Sequence, residues 1–459
     1  MSLLNTLSTG LSGLRVASTG IATTTQNVSN ATVQGFTRRT ADVSTADPIQ
    51  RGLVWLGQGA KVDGISRAAD PFALARLFDS TGDANAASAE HAALSQIEPL
   101  FESAMGTSFK GTLDGIFDAL TMATADPSDL GLRANVVSAL QTFSDAANVL
   151  GTGLEAGIAD RASSALATVD LVNADLEEVA TLNDRILEAG GPGAAADLAD
   201  RRDLALTRLA ENIGASVYFE RDGSATVRIG GHAAVSGGVA RTVGAEDDPL
   251  GSGRTVLTLS VDEGAVVIQA DGGKIGGEMA AQDKLESWLS DLDTLVESVA
   301  TELNAAHAAG FTPGGASGGD LFTLPGSGSA ASGLRVDSAL LADPESLAFA
   351  STSAGLPGDG GNLSSLIGLQ DAAIVNGLRP TDAASQLVTR VGTDVTRASA
   401  RAESTQATAL DAAEVYSNLS AVDLDEEAVS LLQYQAAYQA AAKVIQVTDE
   451  TLNALMSII

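Results

Sequence analysis

The sequence predicts a mainly α-helical protein with a β-rich insertion. Its terminal helices are expected to pair as a coiled coil, followed by a long-helix bundle domain and a small β domain at the distal end. Three observations carry this prediction. Apolar residues recur every seven positions near both ends, helical periodicity runs from about residue 71 to 187, and period-two alternation is confined to about 215–275.

In the first segment Leu4 and Leu11 form one row, and Leu7, Leu14, Ile21 and Val28 another, each seven apart. Ser8, Gly10, Ser12, Gly13 and Ala17 surround this stripe and let a neighbour approach closely. Each glycine weakens an isolated helix by roughly 1 kcal/mol, so the segment is expected to need a partner. Near the other end Leu424, Leu431, Tyr438, Ile445, Leu452 and Ile459 repeat every seven residues, flanked by Tyr434, Ala441 and Leu455. Asp423 is the expected N-cap, Glu426 completes a capping box, and Asp425 and Glu427 suit the positive end of the helix dipole. Burying such a seam contributes on the order of 9–18 kcal/mol, whereas ordering the backbone costs about 1–2 kcal/mol per residue. Neither helix gains that burial alone in water. The two ends also differ in charge. Residues 1–41 carry Arg15, Arg38 and Arg39 and no acid, while residues 401–459 carry nine acids against Arg401 and Lys443. Opposite signs favour their lying side by side.

Between these ends, Asn27, Asn30 and Gly35 break the first helix, and an extended segment follows to about Arg67. At "ADPFALARLF" Asp70 caps a helix with Pro71 at its first position. Helical periodicity then continues to about Leu187, interrupted near Gly106–Gly111 and at "ADPSDLG" (Ala125–Gly131). "GGPGAA" (Gly190–Ala195) reads as a turn, and "DLADRRDLALTRLAENIG" as one more helix ending at Gly214. A hairpin is expected around Asp222-Gly223, with further strands at "RTVLTLSV" and "GAVVIQADGG". A helix returns from about Gly277 to Ala309, with Leu285, Trp288, Leu292, Leu295 and Val299 on one face. Residues 310–365, rich in Gly, Ser and Pro, read as loops with short strands or a small outer subdomain, and helix resumes from Thr381 to Tyr416. Four segments result: 1–35 with 418–459, the paired terminal helices; 36–214 with 277–309 and 366–417, the long-helix domain; 215–276, the β-rich domain; and 310–365.

Composition narrows the function. A net charge of −32 argues against generic nucleic-acid binding, which needs a basic surface. The chain has no cysteine, which excludes disulfides and thiolate metal sites. No apolar run of about 18 residues predicts a membrane span. The start lacks a basic n-region, so export would use a route that leaves the N-terminus uncut. His91, His232 and His307 have no ligand spacing and are expected at the surface or in turns. "GASGG" places Ser317 in a G-x-S-x-G pattern, but within a glycine-rich loop and with no histidine after it, unlike a nucleophile elbow. "GGDLF" and "GDGGN" lack the repeated carboxylates of a calcium loop. No catalytic, metal or cofactor-binding residue is expected, and no cofactor.

"TTQNVSNATVQGFTRR" (Thr24–Arg39) resembles the signature that follows the first helix in flagellar axial proteins of rod, hook and junction. There, asparagines (here Asn27 and Asn30) end the helix and a Gly-aromatic pair (here Gly35-Phe36) turns the chain. "SAVDLDEEAVSLLQYQAAYQAAAKVIQVTDETLNALMSII" looks like the C-terminal helix of the same superfamily. "ISRAADPFALARLF", "DLADRRDLALTRLAENIGASVYF" and the segment from Gly272 to Phe311 are similar, in order, to its hook–filament junction members. Phe36 stands where the family often has tyrosine, and 315–365 is short, with a smaller outer domain than in larger relatives. The resemblance implies a structural protein, not an enzyme. It implies a subunit exported by the flagellar type III apparatus and secreted to the extracellular flagellum, where it polymerises with itself between hook protein below and the next junction protein above. It further implies an export chaperone on roughly 410–459. A hook subunit is the second reading, and a secreted adhesin using 215–365 a third.

Overall fold

The computed structural model describes residues 3–51, 54–102, 108–247, 255–261 and 264–456. The chain divides into two units, one of residues 1–85, 168–274 and 405–459, the other of 86–167 and 275–404.

The first unit begins with α1 (Leu3–Asn30), whose glycines are tolerated because a partner helix, α11 (Leu424–Met456), lies along it. An extended hairpin follows: β1 (Arg39–Thr45) pairs antiparallel with β4 (Ala60–Arg67), and β2 (Ile49–Arg51) with β3 (Val54–Leu56) at its tip. Ser12 on α1 accepts a hydrogen bond from the Ala60 amide at 3.2 Å, tying the hairpin to the helix. At the start of α2 (Pro71–Glu102) the Asp70 carboxylate accepts from the amides of Phe72 and Ala73, the cap the sequence implies. The last turns of α4 (Leu130–Glu188) bury Val172, Leu176, Val179 and Ile186, and α5 (Ala196–Ile213) buries Leu206, Leu209 and Ile213. Gly214 ends α5 at φ +65°, and a Cβ there would lie 2.3 Å from the Gly272 backbone, so both conformation and space demand glycine. The β material forms two antiparallel sheets. One has the order β5 (Ser216–Phe219), β6 (Ala225–Ile229), β7 (His232–Ser236), β8 (Val239–Ala240). The other runs β11 (Gly264–Ile268), β10 (Thr255–Val261), β9 (Val243–Asp247). The expected hairpin is β5–β6, its turn held by Asp222, which accepts from the Ser224 amide and hydroxyl at 2.9 and 2.8 Å.

The second unit is built on α3 (Phe109–Ala123), most of α6 (Gly273–Ala308), and the first parts of α4 and of α10 (Pro380–Ser420). Its core contains Phe109, Phe117, Phe143, Leu150 and the α6 row Leu285, Trp288, Leu292, Leu295 and Val299 foreseen from the sequence. Trp288 satisfies its indole N–H on Asp394 at 3.2 Å, and Lys284 supports that carboxylate at 3.5 Å. Residues 310–365 form more structure than glycine content suggests. They include β12 (Phe322–Thr323) paired with β13 (Arg335–Val336), and short helices α7 (Ala330–Gly333), α8 (Ser338–Ala342) and α9 (Gly361–Gly368). Leu321, Phe322, Leu334, Leu347, Phe349 and Leu363 from this segment enter the core.

Three polar side chains make this burial possible by satisfying backbone groups. Asn304 accepts from the Leu321 and Phe322 amides and donates to the Phe322 carbonyl. Asn362 donates to the Ala306 and Ala348 carbonyls. The third is His307, and here the expectation of a surface histidine fails: His307 is 1% exposed. Its Nε2 accepts from the Ala348 amide at 2.7 Å, so Nδ1 carries the proton and donates to the Gly319 carbonyl at 2.7 Å. His91 is half-buried and His232 exposed.

Burial holds the His307 pKa below its ordinary 6.5, since the folded chain has no room for the imidazolium. Only the unfolded chain takes up a proton as pH falls past 6.5, so this contribution is full above that pH and is lost below it. Melting temperature is expected to fall between pH 7 and 5 more steeply in the native chain than in His307→Ala. That variant should be less stable at pH 7.5 by on the order of 2 kcal/mol, because it strands the buried Ala348 amide and removes the partner of the Gly319 carbonyl.

Candidate assembly interface

The α1–α11 pair is antiparallel, and its seam is small. A Cβ added to Gly10 would lie 3.0 Å from Ile445 Cγ1, one on Gly13 3.6 Å from Ala441 Cβ, and one on Gly20 2.5 Å from the Tyr434 ring. Buried Ala17, Thr24 and Asn27 continue the same face, at alternating spacings of three and four. Glycine at 20 is therefore a notch that receives the Tyr434 ring. On α11 the inward row is Glu427, Leu431, Tyr434, Ala441, Ile445, Thr448 and Leu452, each buried or half-buried.

The leucine stripe of α1 lies to one side of this seam. Leu7, Leu14 and Ile21 are half-buried, whereas Leu11 and Val28 are 42% and 44% exposed. The Leu4 side chain and Ile459 lie outside the described residues. Of the C-terminal row, Leu431, Tyr434, Ile445 and Leu452 are half-buried, while Leu424, Tyr438 and Leu455 are exposed. The structure thus brings Tyr434 and Ile445 onto Gly20 and Gly10. It leaves Leu11, Val28, Leu424 and Leu455 facing out, beside Leu432, Val444 and Val447, which are also exposed. Large side chains set the heptad signal in sequence, but close packing within the chain selects the adjacent face with the small ones.

The turn after α1 is fixed by its own signature. Asn27, buried, donates to the Arg39 carbonyl at 2.9 Å and accepts from the Arg39 amide at 3.0 Å, as a neighbouring strand would. Asn30 Nδ2 donates to the Gln26 carbonyl, and its own carbonyl accepts from Val33. Gly35 takes φ +78°, a turn conformation that favours glycine. The Arg39 guanidinium lies 4.8 Å from the centre of the Phe36 ring.

Sequence reasoning set opposite charges at the two ends but missed the α5 aspartates that complete the lock on this turn. Arg38 reaches Glu427 at 2.7 Å and Glu426 at 2.9 Å, and its hydrogen bond to Glu427 raises its pKa further. The Glu426 carboxylate thus lies on Arg38 rather than completing a capping box; Asp423 still caps α11, accepting from the Asp425 amide at 2.8 Å. Thr37 donates to Asp200 at 2.6 Å, Arg39 binds Asp197 and Asp200, and Arg67 binds Asp203. Burial pushes the Asp203 carboxyl up despite the Arg67 and Arg202 charges beside it, and burial together with the Asp203 charge raises Tyr416. Asp197, Asp200 and Asp203 recur every three residues in "DLADRRD", and this spacing, read with the Arg38-Arg39 pair, was the available signal.

Among the described residues no group of His, Cys, Asp and Glu could hold a metal ion, and no helix is long and apolar enough to cross a membrane. What the arrangement offers is an intramolecular helix pair with further apolar side chains presented outward.

Comparison with known proteins agrees. Residues 94–322 match the family described as the flagellar hook-associated protein FlgK helical domain. Residues 416–458 match the C-terminal family of the flagellar basal body rod FlgEFG proteins. The flagellar hook-associated protein 1 of Bacillus subtilis (strain 168) is 24% identical over 495 residues, covering 98% of this chain and 97% of its own. That of Salmonella typhimurium (strain LT2) is 25% identical over 324 residues, 68% of this chain, and the match spans 58% of that relative's own length. The flagellar hook junction protein FlgK from Burkholderia pseudomallei has the same fold, with a TM-score of 0.65 at 14% identity over 74% of this chain and 99% of that one. Fold, helix pair and matched segments define the class as flagellar axial proteins. Within it, the chain belongs to the FlgK family of hook-associated proteins.

Two glycine substitutions separate packing from helix propensity. Gly13→Ala meets only ordinary contact and is expected to stabilise by up to about 1 kcal/mol. Gly20→Ala must displace the Tyr434 ring and is expected to destabilise by about 1–3 kcal/mol. Thermal melts with amide exchange in 3–30 and 424–456 compare them; equal effects would sink the notch.

Proposed function

We propose that this chain is a structural subunit of the bacterial flagellum, without catalytic function. It is exported through the flagellar type III apparatus, polymerises on the hook outside the cell, and forms the junction between hook and filament. In this reading the helix pair, residues 1–35 with 418–459, is the inner axial core, and residues 36–214, 277–309 and 366–417 carry the β-rich 215–276 and the segment 310–365 outward. The Leu4-to-Val28 and Leu424-to-Ile459 stripes are its subunit-packing rows, and the Asn27, Asn30, Gly35 and Phe36 turn fixes where the chain leaves the core. Its partners are other copies of itself, hook protein on one side and the next junction protein on the other, with an export chaperone on roughly 410–459 before assembly.

One observation carries the reading. After α1 and α11 have packed together, α11 still exposes Leu424, Val429, Leu432, Val444, Val447 and Leu455. Such a row needs cover in an assembled state. The match to the FlgK helical domain over 94–322 favours a junction subunit over a hook subunit.

Immunogold labelling of isolated flagella with an antibody to residues 215–275 is expected to mark a narrow band where hook meets filament. Label along the whole hook would replace the reading with a hook subunit, and no label would remove it. Leu432→Asp tests the exposed row: at 66% exposure the residue is free of the intramolecular seam. The variant should melt within about 0.5 kcal/mol of the native chain yet be absent from flagella.

A further inference from the structure

Of the chain's fourteen asparagines, thirteen lie within helices, and none of these precedes a glycine. Asn376 is the exception on both counts. It stands before Gly377 in the loop between α9 and α10, and both residues are exposed. Among the described residues it is also the only one besides glycine with a left-handed backbone, at φ +50°, followed by Gly377 at φ +82°. Positive φ at both central residues is the geometry of the tight turn for which Asn-Gly is the preferred sequence. Its neighbours close the turn. The Val375 amide donates to the Leu378 carbonyl at 3.1 Å, and the Leu378 amide donates to the Val375 carbonyl at 2.9 Å.

This setting opens the Asn376–Gly377 peptide to one reaction. When base removes its proton, the Gly377 amide nitrogen can attack Cγ of Asn376. The new N–Cγ bond closes a five-membered imide, the Cγ–Nδ2 bond breaks, and ammonia leaves with a proton supplied by water. Water then opens the imide at either carbonyl, giving aspartate or isoaspartate. Each requirement is met here. Gly377 has no side chain to crowd its nitrogen, and nothing stands within 4 Å of where a Cβ would be. Its amide donates to no group among the described residues, and exposure admits both base and water. In the helices, by contrast, the hydrogen-bond ladder occupies most of the following amides and fixes the backbone around them.

We infer that Asn376 is a site of slow, selective conversion to aspartate and isoaspartate, a modification that needs only water. The two products differ in consequence. Aspartate adds a negative charge at the turn and leaves the backbone as it was. Isoaspartate routes the backbone through the former side chain and lengthens a two-residue turn by one carbon. The Val375–Leu378 pairing then cannot close. Val375 is buried in the core at 4% exposure, and α10 begins at Pro380, so the isomer loosens the entry to that helix. The converted fraction grows with time since folding, which makes the turn a clock for the age of each chain.

The purified full-length chain, held for weeks at pH 8 and then digested before aspartate, tests this. Cleavage before Asp371 and Asp382 releases residues 371–381, in which Asn376 is the only side-chain amide. Conversion to aspartate creates a new cleavage site at 376, whereas isoaspartate leaves the peptide uncut with the mass of the acid. Growth of both products, with the peptides carrying helical asparagines unchanged, is the expected result. An unchanged 371–381 peptide would overturn the site, as would equal conversion at the helical asparagines. Amide exchange separates the products. Val375 and Leu378 are expected to stay protected in freshly prepared Asn376→Asp and to lose protection in the isoaspartate fraction of the aged chain. Protection retained in that fraction would overturn the loosening of α10.

Discussion

Long helices beside short strands leave many strand backbone groups with no neighbouring strand, and the fold depends on how these are satisfied. A helical asparagine does it four times. Asn27 on α1 pairs with both backbone groups of Arg39, Asn173 on α4 with those of Val243, Asn183 with those of Ala225, and Asn304 on α6 with those of Phe322. A primary amide presents a donor and an acceptor side by side, the same pair that a strand presents. Each asparagine therefore acts as a one-residue strand fixed to a helix. Without it, two buried backbone groups would be left unpaired at the first residue of a strand. His307 does the same across two residues by using both ring nitrogens.

Electrostatics works with this frame. A chain of net charge −32 repels itself, yet Arg38, Arg39 and Arg67 gather its acids where the first hairpin meets the helices. Arg39 and Arg67 meet the three aspartates on one face of α5, and Arg38 meets the start of α11. Buried pairs of this kind add little net stability. They do penalise alternatives, because a shifted register would leave a buried guanidinium without a carboxylate. The charges thus select where the first helix stops and how the last one begins, while apolar burial supplies the driving force.

Much of this was legible in the sequence, for identifiable reasons. Helices with caps and unbroken periodicity, such as the one starting at Asp70-Pro71 and the α6 row around Trp288, carry their own signals within a turn or two. The Asp222-Gly223 hairpin likewise follows from a local preference. What was not legible depends on partners distant in sequence. The seam face of α1 is set by Tyr434, more than four hundred residues away, and periodicity of large residues points to the neighbouring face. His307 looks like any surface histidine until Gly319 and Ala348 fold back on it. Residues 310–365 look like loop because glycine hides how many of their apolar residues reach the core. Homology to flagellar proteins was visible in the turn after α1 because there the constraint is local: two asparagines, one glycine and one ring.

The chain leaves α1 and enters α11 at one place. The Arg38 amide donates to the Ser420 carbonyl at 2.8 Å while the Arg38 side chain holds Glu427. Everything between is, topologically, a single excursion with both feet on that point. The length of such an excursion is free at its exposed loops, because material added or removed there leaves the two feet where they were. A lineage can enlarge or trim the outer part of such a protein without renegotiating the core that its first and last helices form.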